Sequence, residues 1–558
     1  MRALTGRLLC AGLLMACGTP EPGAPDADPD TAGLAEVAEV EPVQDPLAEL
    51  PSTLSGGFED LTSGLQPWPP FDVDPGAPAE GREPETTHGI FADLDGDGTM
   101  AVILSGAVRE EVDHQTYRLD PDTGALTPRP IDTLPQGAIL MAEDLDGDGH
   151  TDALMSTGVG LVIYWSDGAG VFSEWSLLAP EVPIAYEQAT VHPVDLDADG
   201  WVDLLARTNC GMVALFRTGL RTWTYRPDTL QGIDSVDPYA IVTWPRADRP
   251  TPLIAMGYAD CGLYGTYEST ELDAEGYPSF EPVQMYEGQL MGDASMGPNG
   301  LESMSPMGAA SADLDRDGLF DLFVTVDPGH LILDGADTWP VTDSHKESGL
   351  FLVGSDTEHA QVGWGVALVD LNKDGLDDVL VAHGDDTSRF MGTDPSPGPQ
   401  WATLHLNGGD FRFVDVTEQV GLGRRGQWRA LSIGDLDGDA DADLIVGGLG
   451  EPPRVWRNDL EATNQGLAIR LLGTASNALG VGAQVIVNPS GASVERRYAV
   501  GAMGSPKAVS SPMVFAGLGE ADEADVTVVW PSGVVQRLEG LAAGETHRVT
   551  EPALLTVS

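Results

Sequence analysis

Asp144-Leu145-Asp146-Gly147-Asp148-Gly149-His150-Thr151-Asp152, followed by Ala153-Leu154-Met155, is the stretch whose reading decides the fold. Counted from Asp144, carboxylates stand at positions 1, 3, 5 and 9, and position 6 is a glycine, which lets the backbone turn sharply and aim its oxygens inward. Such a loop suits calcium, a hard cation that takes about six to eight oxygens at roughly 2.3–2.6 Å. An EF-hand needs a bidentate glutamate at position 12 and flanking helices; position 12 here is Met155, inside a run that reads as strand.

Five more such loops begin at Asp93, Asp195, Asp313, Asp370 and Asp435, with Leu104, Ala206, Val324, Val381 and Val446 at position 12. One Asp-Gly stretch is commonly an ordinary turn; a set in register, each leading into an apolar run, is a repeat. Asp93, Asp144 and Asp195 follow one another at intervals of 51 residues, and the gap between Asp195 and Asp313 is about two units wide. Inside that gap, 240–255 keeps the strand, turn and strand rhythm without the acids, and counting back from Pro252 puts position 1 of this metal-free unit at Trp244. Units of about 50 residues built from short strands fit propeller blades better than solenoid coils. The expected fold is therefore all-β: a seven-bladed calcium-binding β-propeller over 58–460, with a small C-terminal β domain over 465–555 where the acidic loops cease.

The formal charge of −60 and a pI near 4.1 argue against nucleic acid or anionic lipid surfaces as partners. Many of these charges sit in the loops, so stability is expected to depend on calcium. At the start of the chain, Arg2 and Arg7 precede an apolar run that ends Leu14-Met15-Ala16-Cys17-Gly18, which resembles a bacterial lipobox. Residues 1–17 then form a lipoprotein signal with Cys17 as the lipidated residue, and 18–57, rich in proline, alanine and acids, reads as a disordered tether. This implies export to the outer membrane or cell surface of a Gram-negative-type bacterium, with membrane contact through the lipid alone. Cys210 and Cys261 also lie 51 residues apart, each just after a repeat strand, and a disulfide between them is expected, with two reduced thiols as the alternative.

Gly363-Trp364-Gly365-Val366-Ala367-Leu368-Val369-Asp370-Leu371-Asn372-Lys373-Asp374-Gly375 and Phe413-Val414-Asp415-Val416-Thr417-Glu418-Gln419-Val420-Gly421-Leu422 resemble FG-GAP (VCBS-type) repeats, the calcium-binding blades of integrin-α-like propellers. Asn477-Ala478-Leu479-Gly480-Val481-Gly482-Ala483-Gln484-Val485 and 526–536 resemble the ASPIC/UnbV domain, which follows FG-GAP propellers in bacterial proteins and in the cartilage acidic protein family. Residue by residue, 526–536 reads as a hairpin turned by Pro531-Ser532-Gly533. Two places depart from the family pattern: Gly501-Ala502-Met503-Gly504 lacks an aromatic and a Ser-Gln pair, and Ala516 stands where phenylalanine is usual.

The resemblance implies the metal ligands. Complete sets are Asp144, Asp146, Asp148 and Asp152; Asp195, Asp197, Asp199 and Asp203; and Asp313, Asp315, Asp317 and Asp321. Asp370, Asn372, Asp374 and Asp378 exchange one carboxylate for an amide oxygen. Asp435, Asp437, Asp439 and Asp443 carry Ala440 at position 6, where strain is expected, and Asp93, Asp95 and Asp97 are weakened by Ala101 at position 9. About five to six calcium sites are implied, each clipping a blade hairpin.

No His-Glu-x-x-His pair, Gly-x-Ser-x-Gly elbow or phosphate loop occurs, and calcium accounts for the paired acids. The expectation is a monomeric, non-enzymatic surface binding or adhesion module whose propeller face and insertions, such as the methionine-bearing 256–310, recognise a protein or glycan. An exported hydrolase or lyase scaffolded on the propeller, and a structural spacer, are the alternatives.

Overall fold

The computed structural model describes residues 55–65 and, with internal gaps, 87–553; the longest gaps are 179–189, 288–304, 351–361 and 385–399. The leader with Cys17, most of the tether, Cys210, Cys261 and Asp97 lie outside the described residues.

Strand character follows the apolar runs. In the second sheet, Ala138–Glu143 and Asp152–Thr157 are buried at every position, whereas Phe172–Leu177, the outermost strand, is buried only at Phe172. Inner strands are covered on both faces by neighbouring sheets, so every side chain is packed; the outer strand has a wet face. Seven four-stranded antiparallel units appear among the described residues, within 88–128, 138–177, 190–226, 238–287, 305–343, 363–415, and 428–461 together with 55–60. Their first strands touch in sequence, and the seventh, Trp428–Gly434, touches the first, His88–Ala92. The Ser432 hydroxyl donates to the Gly89 carbonyl across that junction at 2.7 Å, and the Thr87 N–H to Gly448 O at 2.8 Å. The fold is propeller-like.

The junction is sealed by a strand from the other end of the chain. Ser55–Asp60 pairs antiparallel with Arg454–Glu461, Phe58 lying opposite Asn458, as the outer strand of the last sheet. Phe58 packs with Val420, Leu422 and Leu460, and its N–H donates to Val420 O at 2.7 Å. This strand begins three residues before the expected boundary at 58, and it completes the last blade rather than starting the first.

The acid-free unit forms a complete four-stranded sheet over 238–287. Its register corrects the reading of its turn: Trp244 pairs with Leu253 as Val194 pairs with Asp203, so position 1 falls on Pro245 instead of Trp244 and position 9 on Leu253. Proline spacing gave no fixed point there, whereas the hydrogen-bond ladder does.

Beyond Gln465, a three-stranded sheet and a four-stranded sheet enclose a core that includes Leu467, Ile469, Val485, Val526 and Trp530. Trp530 N–H donates to Val534 O and Gly533 N–H to Trp530 O, at 2.9 and 2.8 Å, with Gly533 at φ 83°, so Pro531-Ser532-Gly533 makes the turn its residue types require. A short strand of this unit, Met503–Gly504, adds to Ser305–Ala312, the innermost strand of the fifth sheet. Nearby, Arg470 Nη2 and the Ser511 hydroxyl both reach the buried Glu143 carboxylate, at 2.5 and 2.9 Å.

Candidate metal centres

Each acidic loop joins the first strand of its blade to the second and is folded by its own carboxylates. The position-1 side chain accepts from backbone N–H groups ahead of it: Asp144 from Gly147, Asp148 and Gly149, Asp195 from Gly200, Asp313 from Gly318, Asp370 from Asp374 and Gly375, and Asp435 from Gly438 and Ala440. Positions 3 and 5 make similar short turns, as in Asp146 to Asp148 N–H and Asp148 to His150 N–H. Position 6 takes positive φ throughout, including Ala440 at 68°, where a Cβ makes the conformation costly. Position 4 takes it too, at Ala198, Arg316 and Lys373, with φ between 60° and 64°. That requirement is invisible in sequence, because non-glycine residues meet it.

Position 9 has a role that ligand spacing does not reveal. Asp152, Asp203, Asp321, Asp378 and Asp443 are buried at the start of their second strands. In each, one oxygen accepts the N–H of loop position 2, from Leu145, Leu196, Leu314, Leu371 and Leu436, at 2.6–3.0 Å. The other oxygen accepts an N–H at the end of the third strand, from Ser166, Arg217, Gly335, Asn407 and Asn458, at 2.7–3.0 Å. One side chain thus ties turn, second strand and third strand together.

Three of those third-strand residues also reach the neighbouring blade. Arg217 Nη1 donates to Leu145 O, Asn407 Nδ2 to Leu314 O at 2.9 Å, and Asn458 Nδ2 to Leu371 O at 3.4 Å, each the position-2 carbonyl of the preceding loop. Arg217 lies over the Trp201 ring, 4.0 Å from its centroid. Sequence reading missed these links, since their separation from position 9 is 14, 29 and 15 residues and so has no fixed period.

The donor set fits calcium. In four loops, three carboxylates bring oxygens within 4.8 Å of one another: Asp144, Asp146 and Asp152; Asp195, Asp197 and Asp199; Asp313, Asp315 and Asp321; Asp435, Asp437 and Asp443. Moreover Asp93 Oδ1, Asp195 Oδ1 and Asp313 Oδ1 are buried without a hydrogen-bond donor, while their Oδ2 atoms are satisfied by Gly98, Gly200 and Gly318. A buried anionic oxygen lacking a donor is costly unless a cation supplies its partner. Burial first, and mutual repulsion with it, raises the Asp195 carboxyl to about 7, and burial opposed by backbone donors leaves Asp321 at about 8. A divalent ion would remove that tension and hold the groups ionised.

The first loop differs. Asp95 is held by Arg118 and Arg129, so its charge is matched by guanidinium groups, and Ala101 supplies no pin at position 9. A milder version occurs in the second loop, where Arg221 Nε meets Asp146 Oδ2 at 2.7 Å. The Asp370 set keeps its turn, with Asn372 Oδ1 accepting from Asp374 N–H at 3.2 Å. Of the methionines in 256–310, Met307 packs with Val362 and Trp364 as a gap filler.

Segments 144–206 and 370–446 match the family model for FG-GAP-like repeats, and 473–555 matches that for ASPIC and UnbV. No curated protein matches the chain. Among solved structures, an Agrocybe aegerita lectin described as recognising non-reducing terminal N-acetylglucosamine is 16% identical, with 68% of this chain and 91% of the lectin covered at a TM-score of 0.36. The extracellular domain of a B. thetaiotaomicron hybrid two-component system is 9% identical over 84% of this chain and 56% of its own, little more than half its length, at a TM-score of 0.39. The V. cholerae biofilm matrix protein Bap1 is 12% identical over 88% of this chain and 76% of its own, with a TM-score of 0.29. No helix among the described residues is long and apolar enough to cross a membrane.

Proposed function

We propose that this chain, which carries FG-GAP-like repeats and an ASPIC and UnbV domain, is a calcium-stabilised, exported binding module that recognises a protein or glycan. The observation that supports the calcium reading is that the buried position-1 oxygens Asp195 Oδ1 and Asp313 Oδ1 have no donor and belong to groups of three convergent carboxylates. About five sites load, with the Asp93 loop left to its arginines. The ions act structurally, fastening each hairpin, and the protein works by binding rather than catalysis.

The partner meets the side of the ring opposite the acidic loops. In an antiparallel four-stranded blade, the turns after strands one and three share a side, and the turn after strand two and the passage to the next blade share the other. Contacts from the C-terminal unit support assigning the first side to that unit, since it bonds to the loops at Asn372, Lys373 and Asp435. The longer passages, such as those between Glu287 and Ser305 and between Asp343 and Gly363, start and end on the second side. Cys17 anchors the molecule through lipid.

Metal analysis of the purified chain in calcium should return about five ions per molecule, and a value of zero would end this reading. Probing a glycan and protein array with and without calcium should give calcium-dependent hits; retention that ignores calcium throughout would refute the coupling. A Cys17→Ala variant should lose incorporation of labelled fatty acid.

A further inference from the structure

The acidic cluster of the fifth blade extends beyond its loop. Oxygens of Asp313, Asp315 and Asp321 lie within 4.8 Å of one another, and so do oxygens of Asp315, Asp317 and Asp334, so Asp315 belongs to two separate groups. Asp334 is not part of the turn. It ends the third strand, His330–Asp334, and because Leu322 pairs with Leu333 it stands opposite Asp321, the position-9 aspartate.

The same register finds the equivalent residue in every other acidic blade: Arg118 in the first, Trp165, Phe216 and Leu406 in the second, third and sixth, and Arg457 in the seventh. Where that residue is an arginine, it meets position 3. Arg118 Nη2 pairs with Asp95 Oδ1 in the first blade, and Arg457 Nε lies 3.8 Å from Asp437 Oδ2 in the seventh. The spot beside position 3 thus receives positive charge from a guanidinium group in two blades, and in the fifth the sign of the residue is reversed. Burial first, and the charges of Asp317 and Asp334 with it, raise the Asp315 carboxyl above its ordinary value, against the lowering effect of the Asp317 N–H. Two arginines close by are committed elsewhere: Arg316 donates to the Asp374 and Gly375 carbonyls, each at 3.1 Å, and Arg497, alongside Gly318, pairs with Glu495 at 3.5 Å. One oxygen of the cluster already lacks a partner, since Asp313 is 7% exposed and its Oδ1 is buried with no hydrogen-bond donor.

We propose that the fifth blade holds two calcium ions, an inner one among Asp313, Asp315 and Asp321 and an outer one among Asp315, Asp317 and Asp334, with the two oxygens of Asp315 divided between them. This rests on the calcium reading above and deepens it by one site, whose ligand Asp334 the loop motif does not contain. A single divalent ion among five carboxylates would leave a charge of about −3, and a second brings it to about −1. Asp317 is exposed, so the outer ion keeps water among its ligands. It also ties the turn to the end of the third strand, beside the link that Asp321 makes by accepting the Gly335 N–H at 2.7 Å.

Calorimetric titration of calcium into the full-length chain stripped of metal, with metal analysis of the same samples, tests this. Asp334→Ala should bind one ion fewer than the unaltered chain while keeping its fold, as near-ultraviolet circular dichroism would show. Asp334→Asn, which keeps an oxygen but not the charge, should weaken that ion roughly tenfold. The double variant Asp313→Asn, Asp334→Ala should bind two ions fewer, since each change removes a different one. Equal counts in Asp334→Ala and the unaltered chain would overturn the outer site and leave the calcium reading standing. If the double variant loses only the ion that Asp334→Ala loses, the blade holds a single ion and the proposal fails. Loss of more than one ion by Asp334→Ala would overturn it too, because Asp334 would then be holding the blade instead of one cation. If the unaltered chain binds no calcium, both readings fall.

Discussion

The third and fourth blades sit side by side and solve the same problem differently. In the third, Asp203 is buried at the head of the second strand, accepts N–H groups from Leu196 and Arg217, and faces Asp195 across an acidic turn. At the corresponding place in the fourth, Leu253 is buried among Val242, Ala255 and Leu322, and the turn has no carboxylates at its ligand positions. Both make four antiparallel strands. The apolar pattern is thus sufficient for a blade, and the buried aspartate adds two hydrogen bonds that tie the turn to the second and third strands.

The largest effect expected from this contrast is that of chelation. Removing calcium should lower the melting temperature by 10 °C or more, by order of magnitude about 2–3 kcal/mol per loaded site shared over the ring, and equal melting curves would show that the other blades resemble the fourth. Next comes a paired substitution. Asp203→Ala should cost about 2–4 kcal/mol, by stripping two buried N–H groups of their acceptor, with a further loss that vanishes in chelator; Leu253→Ala should cost about 2–4 kcal/mol equally with and without calcium. A cost of Asp203→Ala that is the same in both conditions would leave only the hydrogen-bonding role.

Acid should separate the blades in another way. His192 is buried on an inner strand with Nε2 2.9 Å from Thr243 Oγ1, bridging the third and fourth blades, and burial lowers its pKa to about 4. Its folded pKa lies below the unfolded one near 6.5, so its contribution is complete above pH 6.5 and is lost as pH falls toward 4. At pH 5 the calcium-loaded protein should be destabilised through His192 by roughly 1–2 kcal/mol, and His192→Gln should flatten that part of a melting profile measured between pH 7 and 5. The smallest effect is expected in the first blade. Asp95→Asn should leave the number of bound calcium ions unchanged, whereas Asp197→Asn should remove one, as metal analysis of the two variants would read.

Much of the site was legible because it is local. Asp144, Asp146 and Asp152 lie within one turn, and their spacing alone suggested that their oxygens can converge, as they do; Asp148, counted with them from the spacing, is not in that group. That the Asp93 loop departs from the others was visible in Ala101, whereas the pairing of Asp95 with Arg118 and Arg129 was not. Position 1 of the fourth blade was misplaced by one residue, since without acids only the strand ladder defines the count. Arg217, Asn407 and Asn458 carried no signal, because each acts on a blade reached through a connection of variable length.

By itself, then, the sequence determined the all-β class, the acidic turns and their recurrence, each turn and strand being set by residues within about a dozen positions of one another. Only the tertiary structure decided what closes the ring and what covers it. Phe58 meets Asn458 and Arg470 meets Glu143 across roughly 400 and 330 residues of chain, as their pairings show. Contacts at that separation depend on how the intervening blades curve, since small rotations at each inter-blade interface add up before the ends can meet. No local pattern encodes that sum.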